Sequence, residues 1–170
     1  MKMSNQSSSA TNPANAANAS NANNSANTTG AADNKTFPMF FYGSLMVPSV
    51  LQLILNLRKE PKERELRAAA LANYAIKLWG PYPALVPRTN GKVNGIVFYV
   101  TLEQFAALVN YEGPTYTWTE CEVEIKDTEG GAAQKKEVIK DCRVFVAVDP
   151  ESNELEEGVW NLEAWKRDWL

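Results

Sequence analysis

The sequence predicts an α+β domain, a mostly antiparallel β-sheet curled into a barrel and carrying a few short helices. Three observations lead there. Two stretches, Tyr116–Lys126 and Glu137–Val148, alternate apolar and polar residues with the period of two expected of half-buried strands. Apolar residues at helical spacing occur only in short pieces separated by strand-like runs. The order reads strand, helix, several strands, helix, hairpin, helix, without the strand–helix alternation of a doubly wound sheet, and no G-x-G-x-x-G or P-loop is present.

The elements follow in order. Phe37-Pro38-Met39-Phe40-Phe41-Tyr42 is an apolar run stopped by Gly43, which reads as a buried first strand. Val47, Val50, Leu51 and Ile54 fall at helical spacing and Pro48 suits a first turn, so the pattern predicts a helix over 48–57. Arg58 to Arg67 is dense in charge and holds Pro61, as expected of a solvated connection. Ala68–Trp79 reads as one strand, or two with a break near Asn73, and Gly80-Pro81-Tyr82-Pro83 as a loop. Asn90-Gly91 is a turn signal, followed by a strand over Val93–Val100. Thr101 is a fitting cap for a helix carrying Leu102, Phe105, Ala106 and Val109 that ends by Gly113-Pro114. The next two strands are joined by a loop at Gly130-Gly131. Cys121, Val123 and Ile125 share an apolar face in the first, with Glu120, Glu122 and Glu124 on a wet one; Val138, Cys142, Val144, Val146 and Val148 share a face in the second. Asn161 then caps a short helix with Leu162, Trp165 and Trp169 on one side.

Residues 1 to about 35 stand apart. They are mostly Asn, Ala and Ser and contain no Val, Ile, Leu, Phe, Tyr or Trp. Such a segment cannot bury enough apolar surface to offset the entropy of ordering, so it reads as a disordered leader before a domain over 36–170. It lacks the apolar core of a secretory signal and the Arg of a mitochondrial presequence, which points to a cytoplasmic protein. With no large apolar side chains beyond Met to dock, the leader is expected to be dispensable. A chain beginning at Thr36 should keep the unfolding midpoint of the full chain, and a loss above ~1 kcal/mol would show that the leader packs.

Composition also narrows the chemistry. The 170 residues include 17 Lys and Arg against 20 Asp and Glu, a formal charge of -3, which argues against a nucleic-acid binder or a polybasic membrane surface. No apolar run reaches the ~18 residues of a membrane span. There is no His, so Ser-His-Asp triads, Cys-His pairs, histidine-ligated zinc and imidazole bases are all ruled out. Acid–base work falls to a carboxylate, Lys, Tyr or Cys. Cys121 and Cys142 are too few for a disulfide scaffold or a thiolate zinc site, and each lies on an apolar strand face as a buried thiol would.

Two places can carry chemistry. Tyr42-Gly43-Ser44-Leu45 joins the first strand to the helix at Pro48, where backbone N–H groups near a helix start can receive a carboxylate; an ordinary strand-to-helix turn would look the same. Glu112 ends the second helix between Tyr111 and Gly113-Pro114, with Tyr116 near. Enclosed by such groups, a carboxylate is raised in pKa and can shuttle a proton; the plain alternative is a surface glutamate.

The chain resembles the gamma-glutamylcyclotransferase-like family, which includes avirulence-induced-gene-like proteins of plants and fungi, and looks like a fungal-type member. The resemblance covers about residues 38–170. It rests on FFYGSLM at Phe40–Met46, WGPYPALVP at Trp79–Pro87, GKVNGIVFYV at Gly91–Val100, LVNYEGPTY at Leu108–Tyr116 and LEEGVWNLEAW at Leu155–Trp165. It implies a small mixed β-barrel with a central cavity. Tyr42, Gly43, Ser44 and Leu45 match the family's substrate-binding loop and Glu112 its catalytic glutamate, with Tyr116 beside the substrate. The implied reaction is intramolecular aminolysis: the α-amine of a γ-glutamyl group attacks its own γ-amide carbonyl, releasing 5-oxoproline and a free amine, without cofactor or metal. Two positions depart from the pattern: Val109 stands where the family has Asp, and Trp118 where it has Arg. These departures leave a second expectation, a stress-related module of the same fold that binds a small molecule without turnover.

Overall fold

The structure, a computed structural model, describes residues 35–126 and 136–170. The expected leader over 1–35 and the Gly130-Gly131 loop therefore lie almost wholly or wholly outside the described residues.

Five strands close a barrel: β1 (Phe37–Phe41), β2 (Arg67–Trp79), β3 (Tyr82–Val100), β4 (Tyr116–Ile125) and β5 (Val138–Ala147), in the spatial order β1-β3-β2-β4-β5. Every pairing is antiparallel except the one that closes the barrel, where β1 runs parallel to β5 with Phe40 opposite Val144. Among the described residues three α-helices complete the fold: α1 (Pro48–Ile54), α2 (Leu102–Glu112) and α3 (Leu162–Trp169).

The unbroken apolar run of β1 follows from burial on both faces. Phe40 and Tyr42 point into the barrel with Leu71, Leu85, Val97, Val123 and Val144. Met39 and Phe41 point outward into a second core with Leu51 and Leu55 from the α1 region and Phe105 and Leu108 of α2. A strand covered on both sides has no polar face to present, so alternation disappears. Gly95 of β3 lets β1 come close: a Cβ there would overlap the Phe41 carbonyl oxygen and stand 2.6 Å from the tip of the Phe40 ring.

Several expectations change. The first helix stops at Ile54 rather than residue 57, because Asn56 adopts a φ of 50°. The charged connection contains a short 3₁₀ turn, Glu63–Glu65, and a buried Pro61. Asn90-Gly91 does not reverse the chain. Ala72 pairs with Lys92 and Tyr74 with Pro87, so Asn73 faces the four residues 88–91 in a wide bulge of one continuous strand. The positive φ that Asn favours is used there, at Asn73 (64°) and Asn90 (61°), and the Asn90 N–H donates to Asn73 Oδ1 at 3.3 Å. Only Gly80-Pro81 turns at the hairpin tip; Tyr82 and Pro83 already belong to β3.

On β5 the face changes partway. Cys142 faces Cys121 but Ile139 faces Val123, so Lys140 and Asp141 together oppose Glu122, with Asp141 at a φ of 57°. The extra residue inverts the alternation below it. Ile139, not Val138, is buried with Cys142 and Val144, and Val138 and Val148 are exposed. Arg143, next on β5, stands opposite Glu120. Its guanidinium lies over Phe37, Phe105 and Trp118, 4.3, 5.0 and 4.6 Å from the ring centres.

Candidate active site

A cavity of about 420 Å³ opens where the β1–α1 connection, the β2–β3 hairpin tip and the end of α2 meet. Each wall follows from local sequence. Leaving β1, the chain passes Gly43 into a single 3₁₀ turn, Ser44–Met46, before Pro48 starts α1. Gly43 has a φ of -122°, open to any residue; what it supplies is room, since a Cβ would stand 2.9 Å from Pro83 Cγ. The first N–H groups of a helical turn have no acceptor within it, which leaves this loop able to receive an anion.

The α2 wall is fixed at both ends. Thr101 Oγ1 accepts from the Gln104 N–H at 3.3 Å and Gln104 Oε1 from the Thr101 N–H at 2.9 Å, a reciprocal cap. Phe105 and Leu108 are buried beneath the helix. Glu112 is its last residue, after which Gly113 turns away at a φ of 70°. The two walls touch where Ser44 Oγ and the Tyr111 hydroxyl lie 3.3 Å apart.

All six residues expected of the site line this one cavity: Tyr42, Gly43, Ser44, Leu45, Glu112 and Tyr116. The Tyr42 hydroxyl donates to the Phe145 carbonyl at 2.9 Å, and the Tyr116 hydroxyl to the Pro83 carbonyl at 3.2 Å. The Glu112 side chain makes no hydrogen bond or ion pair among the described residues, and burial raises its carboxyl to about 7. Removing water penalises the ionised form, and no cation restores it. Tyr42 is raised well above the usual phenol range by burial first and the Glu112 charge second; Tyr116 is raised to about 12 by the same two causes in the same order. Both phenols therefore stay protonated as hydrogen-bond donors. Among the described residues Glu112 contributes the one carboxylate in the lining, raised to about 7.

Sequence reasoning named Tyr111 as a flank of Glu112 but did not place the rest of the aromatic rim, Trp79 and Tyr82 at the hairpin tip, in the site. Large aromatics on both sides of a two-residue Gly-Pro turn were the available signal, since a hairpin tip facing only water has little use for them. The two departures from the family pattern lie elsewhere. Val109 is exposed on α2, and Trp118 packs edge-on to Phe105 with ring centres 5.6 Å apart; neither lines the cavity.

The sequence profile described as gamma-glutamyl cyclotransferase, AIG2-like, matches residues 39–166. A curated relative, AIG2-like protein D of Arabidopsis thaliana, is 28% identical over 130 residues, covering 76% of this chain and 78% of the relative. The solution structure of another Arabidopsis thaliana protein superposes with a TM-score of 0.61 at 28% identity, over 82% of this chain and 78% of that one. A yeast gamma-glutamyl cyclotransferase specific to glutathione shares the fold at a TM-score of 0.51 and 15% identity, over 69% of this chain and 72% of that one. By the span of the profile match, and with the Tyr42–Leu45 loop and Glu112 meeting in one cavity, the chain belongs to the gamma-glutamyl cyclotransferase, AIG2-like family.

Proposed function

We propose that the protein is a gamma-glutamylcyclotransferase that releases 5-oxoproline and a free amine from a γ-glutamyl amine or peptide. The observation that carries this reading is Glu112, the lone carboxylate among the described lining residues, held near neutral pKa in the wall of the same aromatic cavity that the Tyr42–Leu45 loop lines. Cyclisation needs a neutral α-amine next to its own γ-carbonyl and a proton for the departing nitrogen. Glu112 takes the proton from the attacking amine and delivers it to the leaving one, two steps that suit a group titrating near the working pH. The loop amides receive the substrate α-carboxylate or the developing oxyanion. The cavity folds the substrate toward a five-membered ring, an orientation task that needs no cofactor. Tyr42 and Tyr116, held protonated, act as neutral hydrogen-bonding groups and not as proton carriers.

In this reading the protein works in the cytoplasm on a small molecule, without nucleic-acid or membrane partners; among the described residues no helix is long and apolar enough to cross a membrane. The test is incubation with a panel of γ-glutamyl amino acids and γ-glutamyl-lysine isopeptide, with 5-oxoproline read by mass spectrometry. A folded protein that is blank across the panel overturns the reading. Ligands that raise the melting temperature without turnover would instead favour the binding module.

The pH profile adds a sharper expectation. Glu112 must be ionised to accept the first proton, so kcat/KM should rise with pH through an apparent pKa near 7. An ascending limb near the ordinary carboxylate value would show that another group, or a solvated Glu112, carries the proton.

A further inference from the structure

We propose that Cys121 and Cys142 form a redox pair, a modification site at which a peroxide-class oxidant closes a reversible disulfide between β4 and β5. Composition alone leaves the two as unrelated buried thiols. The fold places them directly opposite one another on the β4–β5 ladder, both free. Directly opposed residues of an antiparallel pair have Cα atoms ~4.5–5.5 Å apart, inside the ~4.4–6.8 Å span that a disulfide bridges. Their side chains also share one face: Cys142 belongs to the barrel interior and Cys121 packs against the same cluster. The register steps immediately beyond them, where Asp141 stands at a φ of 57°, so the thiols sit beside a bulge rather than in the middle of a rigid ladder.

The two sulfurs differ in a way that assigns their roles. Cys142 is fully buried, and its thiol lies 3.8 Å from the Arg143 carbonyl oxygen. Cys121 is partly exposed and close enough to Tyr74, which lines a cleft of about 400 Å³, for its charge to be felt there. The neighbouring Cys142 thiol holds Cys121 below the ordinary thiol value against a smaller opposing effect of burial; Cys142 is raised, by Cys121 first and burial second. Cys121 is thus the member an oxidant reaches and the one that ionises first, and Cys142 the resolving thiol.

The chemistry balances with hydrogen peroxide as the oxidant. The Cys121 thiolate attacks one peroxide oxygen and the O–O bond breaks, giving Cys121 sulfenic acid and hydroxide. The Cys142 sulfur then bonds to the Cys121 sulfur and expels the sulfenic oxygen as hydroxide, which leaves as water with the Cys142 proton. Two thiols lose two electrons and one peroxide becomes two waters. A dithiol reverses the bond by exchange. The proposal does not depend on the activity argued above, because neither cysteine lines the candidate active site.

The test treats the full chain with hydrogen peroxide, denatures it in excess alkylating agent, and measures intact mass and the cross-linked peptide. The expected product is a monomer in which neither cysteine is alkylated, restored to two alkylatable thiols by dithiothreitol. Cys142→Ser should stop at a sulfenic acid on Cys121 that dimedone traps, and Cys121→Ser should leave Cys142 reduced under the same exposure. Two thiols that remain alkylatable, a covalent dimer as the main product, or direct passage to sulfinic acid in the unmutated protein would each overturn the proposal. If Cys142→Ser fails to fold, the unmutated protein and Cys121→Ser still decide it.

Discussion

Glu112→Gln is expected to remove activity by ~10²–10⁴ or more, the usual contribution of a general acid–base group, while leaving the protein folded. Gln keeps the shape of the side chain but can neither take nor return the proton. Stability gives an independent reading of the same residue. Burial raises the folded-state carboxyl from 4.5 to about 7, so across that window the folded protein binds more protons than the unfolded one. Stability is fully present below the unfolded value and is lost as pH rises through about 7. A shift of this size corresponds to at most about 3 kcal/mol. The Gln variant should therefore match the parent near pH 4.5 and exceed it near pH 8, measured by denaturant unfolding at both. Glu120→Gln, on the exposed face of β4, is the control and should change neither rate nor stability. Activity that survives Glu112→Gln but vanishes on changing another carboxylate would misassign the proton carrier. A variant that fails to fold would make Glu112 a structural residue.

Gly95→Ala is expected to cost about 2–4 kcal/mol and to lower the melting midpoint by about 10 °C. The new methyl would meet the Phe41 carbonyl oxygen and the Phe40 ring, and the carbonyl belongs to backbone that cannot rotate away. Either β1 and β3 separate or the Phe40 ring leaves its place. Both disturb the strand that delivers the Tyr42–Leu45 loop to the cavity, so activity should fall with stability. Gly80→Ala is the informative comparison: it has open space around it and a φ of 56°, so only backbone strain of about 1–2 kcal/mol applies. Equal losses at the two positions would show that close approach of β1 to β3 is not what excludes a side chain at residue 95.

The local signals in this chain were strong where a single element decides its own form. Thr101 and Asn161 cap α2 and α3 as expected, because a cap is satisfied within one turn of backbone. The apolar run of β1 and the alternation of β4 were equally plain. The residues of the candidate-site loop and Glu112 could be named from motif order alone. Signals that depend on a neighbouring strand were misread. Asn90-Gly91 carries the positive φ that a hairpin turn needs, yet a wide bulge opposite Asn73 needs it too, and only pairing with β2 distinguishes them. The same holds for Asp141, whose extra place in the ladder buries Ile139 and exposes Val138.

By itself, then, the sequence pointed to the fold class, to the family and to Glu112 as a candidate proton carrier, because these rest on composition, caps and ordered motifs within continuous segments. The tertiary structure decided what those residues become together. It raised Glu112 to about 7 by enclosing it between segments more than twenty residues apart in the chain, and supplied Trp79, Tyr82 and Tyr111 as the rim. It also moved the two family departures away from the cavity and set Cys121 against Cys142. Desolvation, register and cross-strand contact are properties of pairs of segments, and no single stretch of sequence contains them.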